Sequence, residues 1–469
     1  MNHQIFGKIA LAALILVSCN TAKKVAVPEA SDEIYNLPAK TSTLTANQLK
    51  TWSHADLATD TIPGISLAKA YQFLEGKKST TVIAAVADTG IDIDHEDLGP
   101  VMWTNSDDSA DGKDNDGNGF VDDINGWNFL GDTYDENLEM TRMVRLGKKR
   151  FGDRTAAEIT PDEMADFRQF KKLEKEVKAK FAGSGTYFNV DFNARENMPD
   201  PYSMEVKVYG NANIKNSIAS ESHASHVAGI IGAARGNGKG IDGIANNVKI
   251  MSLRVVPRGD EYDKDVALGI RYAVDNGASV INASFGKSHS PNREWVYEAI
   301  EYAAEKDVVI VMSSGNNGQN VDAEPTFPND SRDNSTEISD NVIMVGASTF
   351  NYDSSLPAAF SNYGKKHVDI FAPGVSIYST VPAGKYRAMG GTSMASPAVA
   401  GVVALIRSYY PKLTAKQVKQ IIMKSGTKID FDVMTPGSEP TLVPLTELCV
   451  SGRILNAYEA VKMADKLSK

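Results

Sequence analysis

Three residues of this sequence could together attack a carbonyl: a serine, a histidine and an aspartate, each set at the border of an apolar run. Ser393 lies in Gly390-Gly391-Thr392-Ser393-Met394-Ala395-Ser396-Pro397, just before Ala398 to Ile406, an apolar run long enough for a core helix. Proline suits the first turn of a helix, which predicts Ser393 at or near the helix start. A hydroxyl there is exposed among unpaired backbone N–H groups at the positive end of the dipole. A serine that attacks a carbonyl and then tolerates an oxyanion needs such surroundings. Taken alone, a serine N-cap before a buried helix is the simpler reading, and the rest of the chain decides. His223 and His226 open His223-Ala224-Ser225-His226-Val227-Ala228-Gly229-Ile230, whose apolar residues predict a core helix, and Asp88 ends the apolar run Thr81 to Ala87. The chain order Asp, His, Ser excludes an α/β-hydrolase arrangement, in which the histidine follows the serine. No histidine lies beyond His367.

These residues have to be positioned by strands and helices. Thr81 to Ala87, Val248 to Val256, Ser279 to Asn282, Val308 to Ser313, Val342 to Val345 and Val368 to Phe371 read as strands covered on both faces. Helical patterns separate several of them, at Asp263 to Asn276 and Trp295 to Glu305. The alternation predicts an α/β fold: a doubly wound, mostly parallel sheet with helices on both faces. In such sheets ligands bind beyond the carboxyl ends of the strands, and Asp88 and Asn316 both fall just past such ends. A capping box at Thr414 and a pattern from Asn456 to Leu467 predict helices in the tail. Residues 51–469 read as a single domain interrupted by a polar insertion at 128–222. Within the insertion, Thr160-Pro161-Asp162-Glu163 starts a helix, with Met164, Phe167, Phe170, Leu173, Val177 and Phe181 as an apolar stripe. A surface helix packed on the domain is the first reading; a lid over the cleft or a partner contact are the others.

With these motifs in place, the chain resembles the subtilisin-like serine peptidases, the subtilases. Ala87-Asp88-Thr89-Gly90-Ile91-Asp92 is similar to the family's aspartate motif, His223 to Gly229 to its histidine motif, and Gly391 to Pro397 to its serine motif. Ser314-Gly315-Asn316 is similar to the segment carrying the oxyanion asparagine, and Val280 to Gly286 to the strand flanking the substrate. Phe360-Ser361-Asn362-Tyr363-Gly364 and Phe371-Ala372-Pro373-Gly374 are further family-like signatures. The resemblance implies a subtilisin-like fold and a serine endopeptidase. Ser393 would be the nucleophile, His223 the base, Asp88 its orienting partner and Asn316 an oxyanion donor. Protein or peptide substrates would run along Ser284, Phe285 and Gly286 and the segment around Gly259, with Ser314 and Gly315 beside the pocket for the residue at the cleaved bond. Two departures stand out. The family's Gly-Thr between the histidines is Ala224-Ser225, which leaves open a shifted imidazole and, as an alternative, a non-catalytic pseudo-peptidase that binds protein or peptide. Ser314 replaces a common alanine and could narrow or polarise the pocket. His226 reads as a packed second histidine.

Asp111 to Asp123 is a second rich stretch. Asp114, Asp116, Asn118 and Gly119 have the spacing of an EF-hand loop start, with the Phe120 carbonyl in the backbone-ligand place. The usual closing glutamate is missing, Asn125 standing there, so Asp122 or Asp123 would complete the shell. Hard oxygen donors point to Ca2+ rather than zinc; a metal-free acidic turn is the alternative.

At the N-terminus, Lys8 is followed by an uncharged run, Ile9 to Val17, and then Ser18-Cys19. Leu16-Val17-Ser18-Cys19 resembles a bacterial lipobox. This implies a lipoprotein signal peptide at 1–18, a lipidated Cys19, a tether at 19–50 and a membrane-attached place at the bacterial cell envelope. An ordinary signal peptide or an uncleaved anchor are the alternatives. With 469 residues, 42% of them hydrophobic, the chain can fill one large core or two modest ones. A formal net charge of -10 argues against a nucleic-acid partner. Cys19 and Cys449 are too few and too far apart in sequence for a disulfide framework.

Overall fold

The continuous apolar runs become parallel strands because both of their faces are covered. In the computed structural model, which describes residues 43–181, 185–215 and 221–469, β1 (Val82–Asp88) sends Ala84 and Val86 into one core and Ala85 and Ala87 into the other. The later strands are β2 (Gly126–Asn128), β3 (Val248–Arg254), β4 (Val280–Ala283), β5 (Val309–Ser313), β6 (Val342–Ser348), β7 (Ile370–Pro373), β8 (Ile377–Val381), β9 (Lys385–Met389), β10 (Thr427–Lys428), β11 (Asp432–Met434), β12 (Leu442–Pro444) and β13 (Arg453–Ile454). A nine-stranded sheet runs β10-β13-β7-β6-β5-β4-β1-β3-β2. Its pairings are parallel except β10 with β13. β8 with β9 and β11 with β12 form separate hairpins.

The helices are α1 (Ala46–Thr51), α2 (Leu57–Asp60), α3 (Leu67–Leu74), α4 (Glu139–Phe151), α5 (Met164–Lys180), α6 (His223–Gly232), α7 (Asp263–Asp275), α8 (Arg293–Glu305), α9 (Thr392–Tyr409), α10 (Ala415–Ser425) and α11 (Ala457–Leu467). α3, α6, α9, α10 and α11 fill the core on one face of the sheet, and α7 and α8 fill it on the other. The fold is thus α/β and doubly wound. α1, closed by the Thr45–Gln48 capping box, starts inside the stretch read as tether. Cys19 and the signal-like run lie outside the described residues. No helix among the described residues is long and apolar enough to cross a membrane.

Pro397 departs from the sequence reading. It lies inside α9, a turn beyond Ser393, rather than at the helix start. Its missing N–H would have bonded the Ser393 carbonyl four residues back. The Ser284 hydroxyl donates to that carbonyl instead, at 3.0 Å. A proline placed here therefore clasps the first turn of α9 to the end of β4.

The insertion is clamped to the domain by buried charge. Its own small core packs α4 against α5 around Val144, Phe151, Phe167, Phe170 and Leu173. Gly147 permits the contact, since a Cβ there would meet the Phe170 ring at 2.2 Å. Phe181, the end of the predicted stripe, is exposed. Glu139, the first residue of α4, is fully buried and accepts from Lys287 Nζ at 3.0 Å, from the Tyr202 hydroxyl at 2.8 Å and from Arg142. Lys287 also pairs with Asp263 at 2.8 Å and donates to the Glu261 carbonyl at 2.8 Å. Arg142 donates to the carbonyls of Asn137, Asp260 and Glu261. Burial works against the Glu139 carboxylate, but Lys287 and Arg142 outweigh it and hold its pKa down at about 2. Removing one partner strands the other charges without water. Lys287→Met should cost about 3–5 kcal/mol in urea-unfolding free energy; a cost below about 1 kcal/mol would show that the network is not what holds α4.

Candidate active site

Parallel register brings the strand ends to one level. Ala87 is opposite Ala283, and Ala283 is opposite Met312, so Asp88, Ser284 and Ser313 follow one another across the carboxyl edge of β1, β4 and β5. The first turns of α6 and α9 meet this edge. His223 is the first residue of α6, and its Nδ1 bonds Asp88 Oδ1 at 2.8 Å and Oδ2 at 2.9 Å. The Thr89 N–H donates to the same carboxylate at 2.7 Å, and the Thr89 hydroxyl accepts from the Ala224 N–H at 3.2 Å. The residue after the aspartate thus joins the start of α6 to the end of β1. Asp88 is buried, while 31% of the His223 side chain is exposed, leaving its outer edge toward solvent. Burial disfavours the imidazolium, but the charge of Asp88 and its hydrogen bond prevail, and the His223 pKa stands above its ordinary value.

The Ala224-Ser225 departure is absorbed locally. Ser225 Oγ accepts from the Asp92 N–H at 2.9 Å, and the Ser225 carbonyl accepts from the Thr380 hydroxyl at 2.6 Å. The imidazole keeps its bond to Asp88. His226 points elsewhere: its Nε2 bonds the Arg387 carbonyl at 3.0 Å, its Nδ1 has no partner, and burial lowers its pKa to about 4.

Ser393 sits in the first turn of α9, at the mouth of the edge. Its hydroxyl donates to the Ser284 carbonyl at 3.1 Å. No hydrogen bond joins His223 and Ser393 among the described residues. A buried chain of polar groups fixes the turn: the Ser396 hydroxyl donates to Asn282 Oδ1 at 2.8 Å, and Asn282 Nδ2 donates to Ser284 Oγ at 2.9 Å. Asn316 Oδ1 accepts from the Thr392 N–H at 2.8 Å and the Thr392 hydroxyl at 3.0 Å. That leaves the amide N–H groups of Asn316, which lines the same pocket as Ser393, available as donors.

A pocket of about 200 Å³ opens beside Ser393, lined among others by Phe285, Gly286, Ser314, Gly315, Asn316 and Phe327. Ser314 does not polarise it, since its hydroxyl is spent on the Asn362 carbonyl at 3.1 Å. Asn362 braces the whole turn. Its Nδ2 donates to the Ser314 carbonyl at 2.8 Å, and its Oδ1 accepts from the N–H groups of Asn317 and Gln319 at 2.9 and 3.1 Å. The sequence marked Asn362 as part of a signature but gave it no role. Lys287 spends its backbone N–H and C=O on Phe327, at 2.8 and 2.9 Å, so Gly286 and Ser288 face the opposite edge. The segment around Gly259 lies against the insertion: Arg258 bonds the backbone of Tyr134 and Glu136, and a Cβ on Gly259 would meet the Glu136 carbonyl at 2.2 Å.

The acidic loop is arranged differently from an EF-hand. Asp114 accepts from the N–H groups of Gly117, Asn118 and Gly119, and Asp122 from those of Asp111 and Gly112. Both carboxylates cap turns. Asp116 and Asp123 instead face the same two carboxamides, each accepting from Nδ2 of Asn105 and of Asn118 at 2.7–3.0 Å. The Phe120 ring packs on Trp127 and Tyr272 and ties the loop to the core. Among the described residues, no group of three His, Cys, Asp or Glu side chains is placed to hold a metal ion. Cys449 is buried and its thiol is pushed up to about 11 by burial, which leaves it inert.

Comparison with known proteins agrees with this geometry. The model of the Subtilase family matches residues 79–439. A thermophilic serine proteinase of Bacillus sp. (strain AK1) is 43% identical over 210 residues, covering 44% of this chain and 47% of that protein. Thermitase of Thermoactinomyces vulgaris is 34% identical over 245 residues, 51% of this chain and 80% of that one. A solved protease structure from Pseudoalteromonas arctica PAMC 21717 superposes with a TM-score of 0.52 at 23% identity, covering 88% of this chain and 97% of that chain, a likeness of fold. The chain spans less than half the length of the first curated relatives it matches.

Proposed function

This chain belongs to the subtilase family, and we propose from that premise that it is a serine endopeptidase acting through Asp88, His223 and Ser393. The observation that carries the reading is the Asp88–His223 hydrogen bond, formed at the strand edge to which Ser393 is also tied. Asp88 holds Nδ1 protonated, which leaves Nε2 as the basic nitrogen. In the free protein the Ser393 hydroxyl rests on the Ser284 carbonyl. An extended substrate adding a strand to Ser284–Gly286 brings an N–H that claims this carbonyl and frees the hydroxyl for His223. Ser393 Oγ then attacks the peptide carbonyl, and its proton passes to His223 and on to the leaving amine. The Asn316 amide and the Ser393 N–H stabilise the oxyanion; donors held in place beforehand need no reorganisation as charge develops. Fluorophosphonate labelling tests this: stoichiometric modification mapped to Ser393 is expected, and folded protein that stays unlabelled would favour a binding protein without turnover.

Ca2+ in the acidic loop is part of the same proposal. The carboxylates of Asp116 and Asp123, turned toward the same two carboxamides, are hard oxygen donors and suit Ca2+ in chemistry. When bound, the ion supplies loop rigidity rather than catalysis. An ion bound by the native state alone stabilises it, so EDTA is expected to lower the melting temperature and added Ca2+ to restore it. A melting temperature indifferent to EDTA would remove the ion from the proposal. The lipobox-like Leu16-Val17-Ser18-Cys19 supports attachment at the bacterial cell envelope through lipidated Cys19. A mass spectrum of the membrane fraction without a diacylglyceryl adduct on Cys19 would reject it.

A further inference from the structure

We propose that the groove between the insertion and the catalytic domain is an accessory subsite for the polypeptide being cleaved, taking an apolar side chain well upstream of the scissile bond. The inference rests on the peptidase reading for its substrate. The groove encloses about 630 Å³, with Met143, Leu146, Phe170 and Leu173 of the insertion on one side and His289 and Phe327 of the domain on the other. Leu146 is 38% exposed, an uncovered apolar group on a helix otherwise anchored by buried charge. Arg150 and Asp166, paired at 2.7 Å, stand among the lining residues and give it a polar border.

Continuity with the cleft identifies the occupant. Ser288 and Phe327 line both this groove and the pocket beside Ser393. The residue whose carbonyl is attacked sits in that pocket, so the acyl half of the substrate runs along the edge offered by Gly286 and Ser288. From Ser284 to Ser288 this edge advances by roughly 13 Å at about 3.3 Å per residue. A substrate paired to it therefore enters the groove about five to seven residues upstream of the cleaved bond. The walls keep a fixed spacing. Lys287, between Gly286 and Ser288, is bonded to Glu139 at the start of α4, and α4 meets α5 at Gly147 without a gap. The insertion is thus a wall built onto the substrate edge and not a lid that closes over it.

Two fluorogenic peptides with the same cleavage site decide the matter, one with four residues on the acyl side and one with eight, the longer carrying Leu or Phe at the sixth. Wild type is expected to cleave the longer with kcat/KM higher by about tenfold or more, the worth of burying one large apolar side chain. Leu146→Asp, at an exposed position, should abolish that advantage and leave the short peptide unaffected. Equal cleavage of both lengths by wild type, or an equal loss on both in the variant, would overturn the proposal. If wild type cleaves neither peptide, the peptidase reading fails separately. Fluorescence anisotropy of the labelled long peptide then decides: about tenfold weaker binding by Leu146→Asp supports the groove, and equal binding overturns it.

Discussion

Ser393→Ala is expected to lose peptide hydrolysis on the order of 10⁶ in kcat, the scale known for this family when the nucleophile is removed, while the fold stays intact. The two halves have different causes. Activity disappears because the neighbouring hydroxyls of α9 are committed elsewhere, that of Thr392 to Asn316 Oδ1 and that of Ser396 to Asn282 Oδ1. The fold survives because the hydroxyl makes a single bond, to the Ser284 carbonyl, worth about 0.5–1.5 kcal/mol net. The clasp between β4 and α9 runs through the Ser393 carbonyl, the Ser284 hydroxyl, Asn282 and Ser396. The substitution touches none of these. Denaturation curves should therefore nearly overlay, and fluorophosphonate labelling should vanish. Turnover retained at more than a few per cent of wild type would assign the nucleophile to another residue.

The parts of this site that were legible in the sequence are those written in consecutive residues at the border of an apolar run. Asp88 follows six strand residues, all but Ile83 buried, His223 opens a helix of small and apolar residues, and Ser393 precedes the longest apolar run of the domain. The doubly wound sheet was legible for the same reason, since two-sided burial demands unbroken apolar strands. Short strands such as Gly126–Asn128, or the two residues of β10, carry no such signature and did not show. The role of Pro397 was misread because its consequence lies in the carbonyl it leaves free, and the donor to that carbonyl is Ser284, over a hundred residues away. The clamp on the insertion was hidden for a related reason. Glu139, Arg142 and Lys287 look like solvated charges in a polar stretch, and only folding reveals that they neutralise one another out of water. The acidic loop shows the converse: a familiar spacing places the carboxylates near one another, but backbone N–H groups compete for Asp114 and Asp122 and turn them into caps.

Asp88→Asn separates the orientation of His223 from its charge. In the wild type, kcat/KM is expected to fall at acid pH with an inflection above about 6.5, the ordinary histidine value. The base has to be neutral, and Asp88 holds its pKa up against burial. The same shift acts on stability with the opposite sign. A group whose pKa is raised by folding contributes fully below its unfolded pKa, and that contribution fades as pH climbs through the folded value. Activity therefore grows over the window in which this pair ceases to stabilise the fold. In Asp88→Asn the attraction is gone while burial remains, so the inflection should move to lower pH than in wild type. The carboxamide also offers a donor where the carboxylate offered acceptors at 2.8 and 2.9 Å. An imidazole facing that donor carries its proton on Nε2, the nitrogen that has to accept from Ser393. The expected loss in kcat is about 10⁴, undiminished at neutral pH, where His223 is already unprotonated. A loss in kcat below about tenfold at neutral pH would mean that the tautomer set by Asp88 is not what catalysis depends on. An unmoved inflection would mean that the titrating base is a residue other than His223.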